Sequence, residues 1–308
     1  MLKRLTRKLP ATLLLFLSAC GLMRCAPEPL SEAELRVLYE DPLPAPEGPL
    51  SVYFIGHSLI ARDMPAMLAE LAGAGHAYDS QLGWGAELQA HWGDIELDGA
   101  EEENDHPRFR EAHEAVDSGA YDVLVMTEKV SIESSIKYHD SWYYLAEWAA
   151  KAEAANPEIR LYLYETWHAL DVEEGWLARL DSDLAKNWEG EIIDRALATG
   201  KVKGPIYVIP GGQVMAAVVR AAEAGEIEGL TSRSDLFQDQ IHFNSLGAYL
   251  MALTHYAVLY GRSPVGLPND LVDAKGESVP MPSETAARAM QEIVWEVVTG
   301  YQRTGVRG

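Results

Sequence analysis

The chain is short of cysteine, of positive charge and of long apolar runs, and each shortage excludes something. Two of its 308 residues are cysteines, Cys20 and Cys25, which rules out a disulfide-built scaffold and any zinc site assembled from several thiolates. Twenty-five basic residues face 47 acidic ones, a net charge of −22, which argues against nucleic acid as a partner. No Walker loop, dinucleotide-type Gly-x-Gly-x-x-Gly or His-Glu-x-x-His pattern occurs, so the common signatures of nucleotide and zinc-protease chemistry are missing. What remains is 48% hydrophobic and 23% charged, enough to bury a core.

The most apolar stretch lies at the N-terminus. Lys3, Arg4, Arg7 and Lys8 precede the run Leu9 to Leu17, which is too short for a spanning helix of roughly 20 residues and has the layout of a secretory signal. The run ends in Leu17-Ser18-Ala19-Cys20, which resembles a bacterial lipoprotein signal. That resemblance implies cleavage before Cys20, acylation of its thiol, and a membrane partner through the N-terminal lipid. Gly21 in the next position resembles the sorting pattern of the Gram-negative outer membrane, so the expected location is the cell envelope, facing the periplasm or the surface. Removal of residues 1–19 leaves 21 basic against 47 acidic residues, a charge of −26.

Six prolines between Pro27 and Pro49 predict an extended tether over 20–49, with one short helix over Glu32 to Tyr39. From Leu50, β-rich apolar runs alternate with helical patterns. LSVYFI (50–55), a weaker run at 77–82, YDVLVMT (121–127), RLYLYE (160–165) and 206–209 are the predicted strands. Near-continuous apolar strands between helices predict a five-stranded parallel sheet in a three-layer α/β/α sandwich, with the ligand site at the strand C-termini. The acidic stretch Asp94 to Asp105 reads as a solvated loop. The domain is expected over 50–262, followed by a C-terminal extension, 263–308, with a helix near Glu284 to Val298.

Two motifs carry chemistry. Gly56-His57-Ser58-Leu59 ends the first strand and presents Ser58 at the open sheet edge; alone, Ser58 reads equally well as a helix cap. Late in the chain, Asp239-Gln240-Ile241-His242 directly precedes a helix. Asp and His three residues apart on a tight loop place a carboxylate against imidazole Nδ1 and leave Nε2 free to take a serine proton.

Together these blocks resemble the SGNH hydrolase (GDSL-type esterase) superfamily over roughly 50–260, with His57 where the name-giving motif has Asp. The resemblance implies a flavodoxin-like fold, Ser58 as nucleophile, His242 as general base and Asp239 as the residue orienting it. Such a site needs no metal and no cofactor. In Gln81-Leu82-Gly83-Trp84-Gly85-Ala86, Gly85, or failing it Gly83, stands for the glycine whose N–H joins the oxyanion hole with the Ser58 N–H. The family's third-block asparagine is replaced by Glu128. Three outcomes follow: Glu128 is neutral through burial and donates, it turns towards Lys129, or the site is weak or dead. Trp84 and Trp92 are read as a sugar-stacking wall or as packing. Trp167 and His168, after the fourth strand, line the substrate cleft, with His168 a rival base, or Trp167 covers the sheet edge. The resemblance implies a small-molecule or carbohydrate ester as substrate, cleaved through an acyl-enzyme; the rival is an inactive envelope glycan-binding lipoprotein.

Overall fold

The computed structural model describes residues 24–308; Cys20 and the signal stretch lie outside them. Five strands, β1 (Ser51–His57), β2 (Ala77–Gly83), β3 (Val123–Met126), β4 (Arg160–Glu165) and β5 (Ile206–Pro210), form one sheet in the order β2-β1-β3-β4-β5. Every pairing is parallel, so each connection crosses over the sheet through helices. The expected three-layer sandwich is therefore the observed one.

Strand residues alternate between two cores, as a pleat with a two-residue period requires. Val52, Phe54, Val123, Val125, Tyr162, Tyr164, Tyr207 and Ile209 enter one core; Tyr53, Ile55, Leu124, Met126, Leu161, Leu163, Ile206 and Val208 enter the other. All are buried, which is why these strands read as unbroken apolar runs.

The helices in chain order are α1 (Glu32–Leu38), α2 (Asp63–Ala72), α3 (Leu88–Trp92), α4 (Ala100–Asn104), α5 (Ala112–Asp117), α6 (Ile132–Tyr138), α7 (Ser141–Ala155), α8 (Trp176–Asp183), α9 (Asp194–Ala198), α10 (Gly211–Glu223), α11 (Ser245–Tyr260) and α12 (Glu284–Gly300). Helices α2, α10, α11 and α12 supply the first core; α5, α7 and α9 supply the second. Between α8 and α9 the turns widen to a π-helix over Leu184–Ile193.

Three expectations need correction. The acidic stretch 94–105 is not wholly irregular: it contains α4, which Asn104 ties to β2 by accepting from Leu82 N and donating to Leu82 O. The segment 263–308 is no appendage, because Ala286, Met290, Val294 and Val298 of α12 are part of the first core. The proline-rich segment lies on the body, at least from residue 24 onwards. Tyr39 is buried and its hydroxyl donates to Ile206 O, while Arg195, Arg160 and Arg262 donate to the carbonyls of Pro27, Pro44 and Pro46. Proline keeps its carbonyl, so arginines of the body can hold an extended strap that forms no ladder of its own.

Candidate active site

Strand β1 ends at His57, and the chain then turns sharply, with Ile60 N donating to His57 O at 2.8 Å. Ser58 stands at the head of this turn. Ala61, three residues on, has φ 53°, a left-handed conformation that alanine rarely adopts and that is found concentrated at functional turns.

His242 reaches Ser58 from a position 184 residues away: Ser58 Oγ and His242 Nε2 are 2.9 Å apart. His242 Nδ1 lies 2.7 Å from Asp239 Oδ2. Asp239 Oδ1 accepts from the backbone N–H groups of Ile241 and His242 at 2.8 and 2.7 Å. These donors, His242 N–H foremost, lower the Asp239 pKa to about 2, since they favour the charged form. With an ionised carboxylate facing Nδ1, the proton resides there and Nε2 is the free acceptor.

The Asp-x-x-His loop owes its shape to partners on both sides. Gln238 N donates to His242 O, and Asn244 caps α11 by accepting from Leu246 N and Gly247 N. Trp167 Nε1 donates to Ile241 O at 2.9 Å, and Leu170 N to Gln240 O at 2.7 Å. Trp167 is only 1% exposed and packs edge-on against Phe237 and Phe243. It is therefore a prop for the Asp239–His242 loop and no part of the cleft wall.

His168 does line a cleft of about 590 Å³ beside the triad, together with Gly85, Lys129, Val130 and Ile241. Its Nε2 is held 2.5 Å from Asp183 Oδ2. Burial would raise the Asp183 pKa, but His168 and Arg179 bring it below the usual range. So engaged, His168 makes no contact with Ser58 and is not the rival base.

The two candidate glycines separate cleanly. A Cβ at Gly83 would come within 2.5 Å of Leu97, whereas one at Gly85 would meet open space, and Gly85 has φ 51°. Gly83 serves close packing; Gly85 faces the cleft with a backbone that favours glycine. Between them Trp84 is 55% exposed, its indole N–H bonded to Glu103 and its ring lying against Gly99. Trp92 packs edge-on with Trp148 and His113, so it belongs to the packing and not to a sugar wall.

Glu128 is fully buried. Burial, chiefly, raises its pKa to about 7. Oε1 accepts from Lys129 N at 3.0 Å, while Oε2 and the Ser141 hydroxyl each lack a partner of good geometry. The hydroxyl and Leu88 N–H are still near enough to oppose the rise. The Lys129 ammonium goes instead to Glu87 at 2.8 Å. A carboxyl that changes charge near neutral pH is thus present, but enclosed near the first turns of α3 and α7 and not open to the cleft. This differs from the expected oxyanion donor.

Two histidines beneath Ser58 have roles that the sequence does not announce. His57 Nε2 lies 3.0 Å from Glu128 O, and its Nδ1 accepts from Leu59 N. His91 Nε2 lies 2.8 Å from Gly56 O, and its Nδ1 accepts from Gln81 Nε2. Burial lowers both pKa values to about 4, so both rings are neutral and donate from Nε2. They tether the end of β1 to its neighbours. His91 gave one faint signal, a histidine inside the short helix Leu88–Trp92. Among the described residues no three His, Cys, Asp or Glu side chains gather as a metal site, and no helix is long and apolar enough to cross a membrane.

Comparison with protein-family models and with curated proteins finds no match. Among solved structures, the chain is similar to a DUF4886 family protein from Bacteroides uniformis, with 18% identity, 81% of this chain and 94% of that chain covered, and a TM-score of 0.52. It is matched more loosely by a carbohydrate esterase family 3 protein from Talaromyces cellulolyticus (12% identity, 68% and 96% covered, TM-score 0.38). A further match is an aryl esterase from M. smegmatis (10% identity, 67% and 96% covered, TM-score 0.33). The likeness is one of fold: a parallel sheet between two layers of helices.

Proposed function

We propose that this protein is a serine esterase that cleaves a carboxylic ester through an acyl-enzyme. The observation that carries the reading is the contact of Ser58 Oγ with His242 Nε2 at 2.9 Å, with Asp239 behind Nδ1 at 2.7 Å. Serine is a weak nucleophile until a base stands within hydrogen-bond reach, and an ionised carboxylate fixes that base's tautomer.

Ser58 attacks the ester carbonyl as its proton passes to His242. The oxyanion is held by the Ser58 and Gly85 N–H groups, a smaller set of donors than one completed by a third-block side chain. His242 then protonates the departing alcohol, takes a proton from water, and the acyl group leaves as acid. A carbohydrate O-acetyl ester suits the exposed face of Trp84, which is braced by Glu103 and Gly99 beside Gly85; rigid aromatic faces stack well on sugars. The envelope location and the acylation of Cys20 belong to the same proposal.

Hydrolysis of p-nitrophenyl acetate by the wild type and by Ser58→Ala tests it. Turnover that falls about 10³-fold or more in the variant is expected. A fluorophosphonate probe should add to Ser58 and be found there by mass spectrometry. Turnover that survives Ser58→Ala overturns the proposal. One observation favours a second reading, a glycan-binding protein without catalysis: the carboxyl of Glu128 is enclosed, so no third-block side chain reaches the oxyanion. Glycan binding without turnover in either protein would select it. Trp84→Ala should raise KM for an acetylated oligosaccharide about 5-fold and leave p-nitrophenyl acetate nearly unchanged.

A further inference from the structure

The strap formed by residues 24–49 begins at the catalytic edge of the sheet and ends at the opposite one. At its far end Tyr39 bonds to the carbonyl of Ile206, where β5 starts. At its near end the Arg24 guanidinium pairs with Asp140 at 3.1 Å and stacks on Tyr143, 3.7 Å from the ring centroid. Asp140 is the N-cap of α7, the helix that runs back from the β3 end of the sheet. Its neighbour His139 contacts Glu87, which also binds Lys129. Glu87 is two residues from Gly85. A short path of contacts therefore links Arg24 to the proposed oxyanion loop.

Arg24 is four positions along the chain from Cys20, a reach of at most about 14 Å for an extended chain. We infer that acylation at Cys20 would hold the body with its catalytic mouth turned to the lipid surface, so that the enzyme takes esters presented at the bilayer. This rests on the anchor reading of Cys20 and deepens the esterase proposal. A second observation agrees with it. Trp84 (55% exposed) and Tyr138 (62%) stand on this same rim, and Lys137 lies over the Tyr138 ring. Exposed tryptophan and tyrosine with a neighbouring cation suit the headgroup layer, where an amphipathic ring meets both water and acyl chains. The opposite edge carries Glu158, exposed before β4, as the reference position.

The test uses the acylated full-length protein in phosphatidylethanolamine–phosphatidylglycerol vesicles, with Cys25→Ser to leave one site for labelling. An environment-sensitive fluorophore is placed through Lys137→Cys or, separately, Glu158→Cys, and spin-labelled lipid is added as quencher. Loss of fluorescence at 137 and none at 158 is expected. Arg24→Ala with Asp140→Ala, which frees the near end of the strap back to Pro27, where Arg195 still holds it, should narrow that difference. Equal quenching at both positions, or quenching at 158 alone, overturns the orientation. Mass spectrometry of Cys20 separates the remaining failure: without acyl chains there, the anchor and this inference both fall. The esterase reading would then still be judged by Ser58→Ala in solution.

Discussion

Two carboxyl groups near the mouth of the sheet are chemically alike and sit in opposite environments. Asp239 is half-exposed, receives two backbone N–H bonds and is held at about 2; Glu128 is fully enclosed, receives one such bond and is raised to about 7. Donors favour the charged form and burial disfavours it, so the first stays an anion at any pH the protein meets, while the second changes charge near neutrality. The difference separates two tasks. A permanent anion can orient His242 and stabilise its charged form during turnover. A group that is half-protonated at pH 7 and shut off from the cleft cannot take that part; what Glu128 supplies beneath Ser58 is its backbone carbonyl, 3.0 Å from His57 Nε2.

The largest way to break this comparison is the amide swap at the exposed carboxyl. Asp239→Asn removes the anion while keeping the size, and its amide nitrogen can present a donor to Nδ1 and impose the wrong tautomer. A fall in kcat of about 10⁴-fold is expected. Because the loop is held by Trp167, Leu170 and Asn244 as well, the variant should remain folded by circular dichroism. A fall of only a few fold would mean that Asp239 shapes the loop but does not orient the base.

The matching swap, Glu128→Gln, should leave turnover at pH 7 within a few fold and change the pH dependence of stability. Glu128 has an ordinary value of 4.5 unfolded and about 7 folded, so between these values the folded state binds a proton that the unfolded state has lost. Stability contributed by the neutral form is full below pH 4.5, declines as pH rises to about 7, and is gone above it. The 2.5-unit rise corresponds to roughly 3 kcal/mol. Urea unfolding at pH 4.5, 6 and 8 should show a flatter profile in the variant. Glu165, also buried and raised to about 8, supplies the same slope away from the triad. Glu165→Gln should therefore flatten the curve over pH 4.5 to 8, and identical slopes in all three proteins would refute both assignments.

The same contrast explains what the sequence made legible. Strand β4 runs over the span expected, Arg160–Glu165, and α11 directly follows the Asp239–His242 motif as expected, bounded by residues that declare its ends: Asn244 as N-cap and Gly261 with φ 58° after it. Ser58, Asp239 and His242 stood out because short polar motifs interrupt apolar runs. Burial was not legible. Trp167 could have been wall or core, and only Phe237 and Phe243, about 70 residues later, make it core. The enclosure of Glu128 depends on Ser141 and Leu88, neither near it in sequence. The strap was misread as a free tether because its hold comes from arginines at 160, 195 and 262, whose partners are carbonyls that every residue has.

The finest test asks how far the exposed triad depends on buried support. Trp167→Phe keeps an aromatic ring between Phe237 and Phe243 and deletes only the indole N–H that binds Ile241 O. One neutral hydrogen bond is worth about 1 kcal/mol, and the carbonyl it leaves lies next to His242. If the prop positions the loop, kcat should fall about 5-fold with KM for p-nitrophenyl acetate unchanged, since ground-state binding does not use His242. The Asp239→Asn background sharpens the reading. There the base is already misoriented, so adding Trp167→Phe should cost much less than it does alone. Full additivity would mean that Trp167 stabilises the fold and has no special hold on the imidazole.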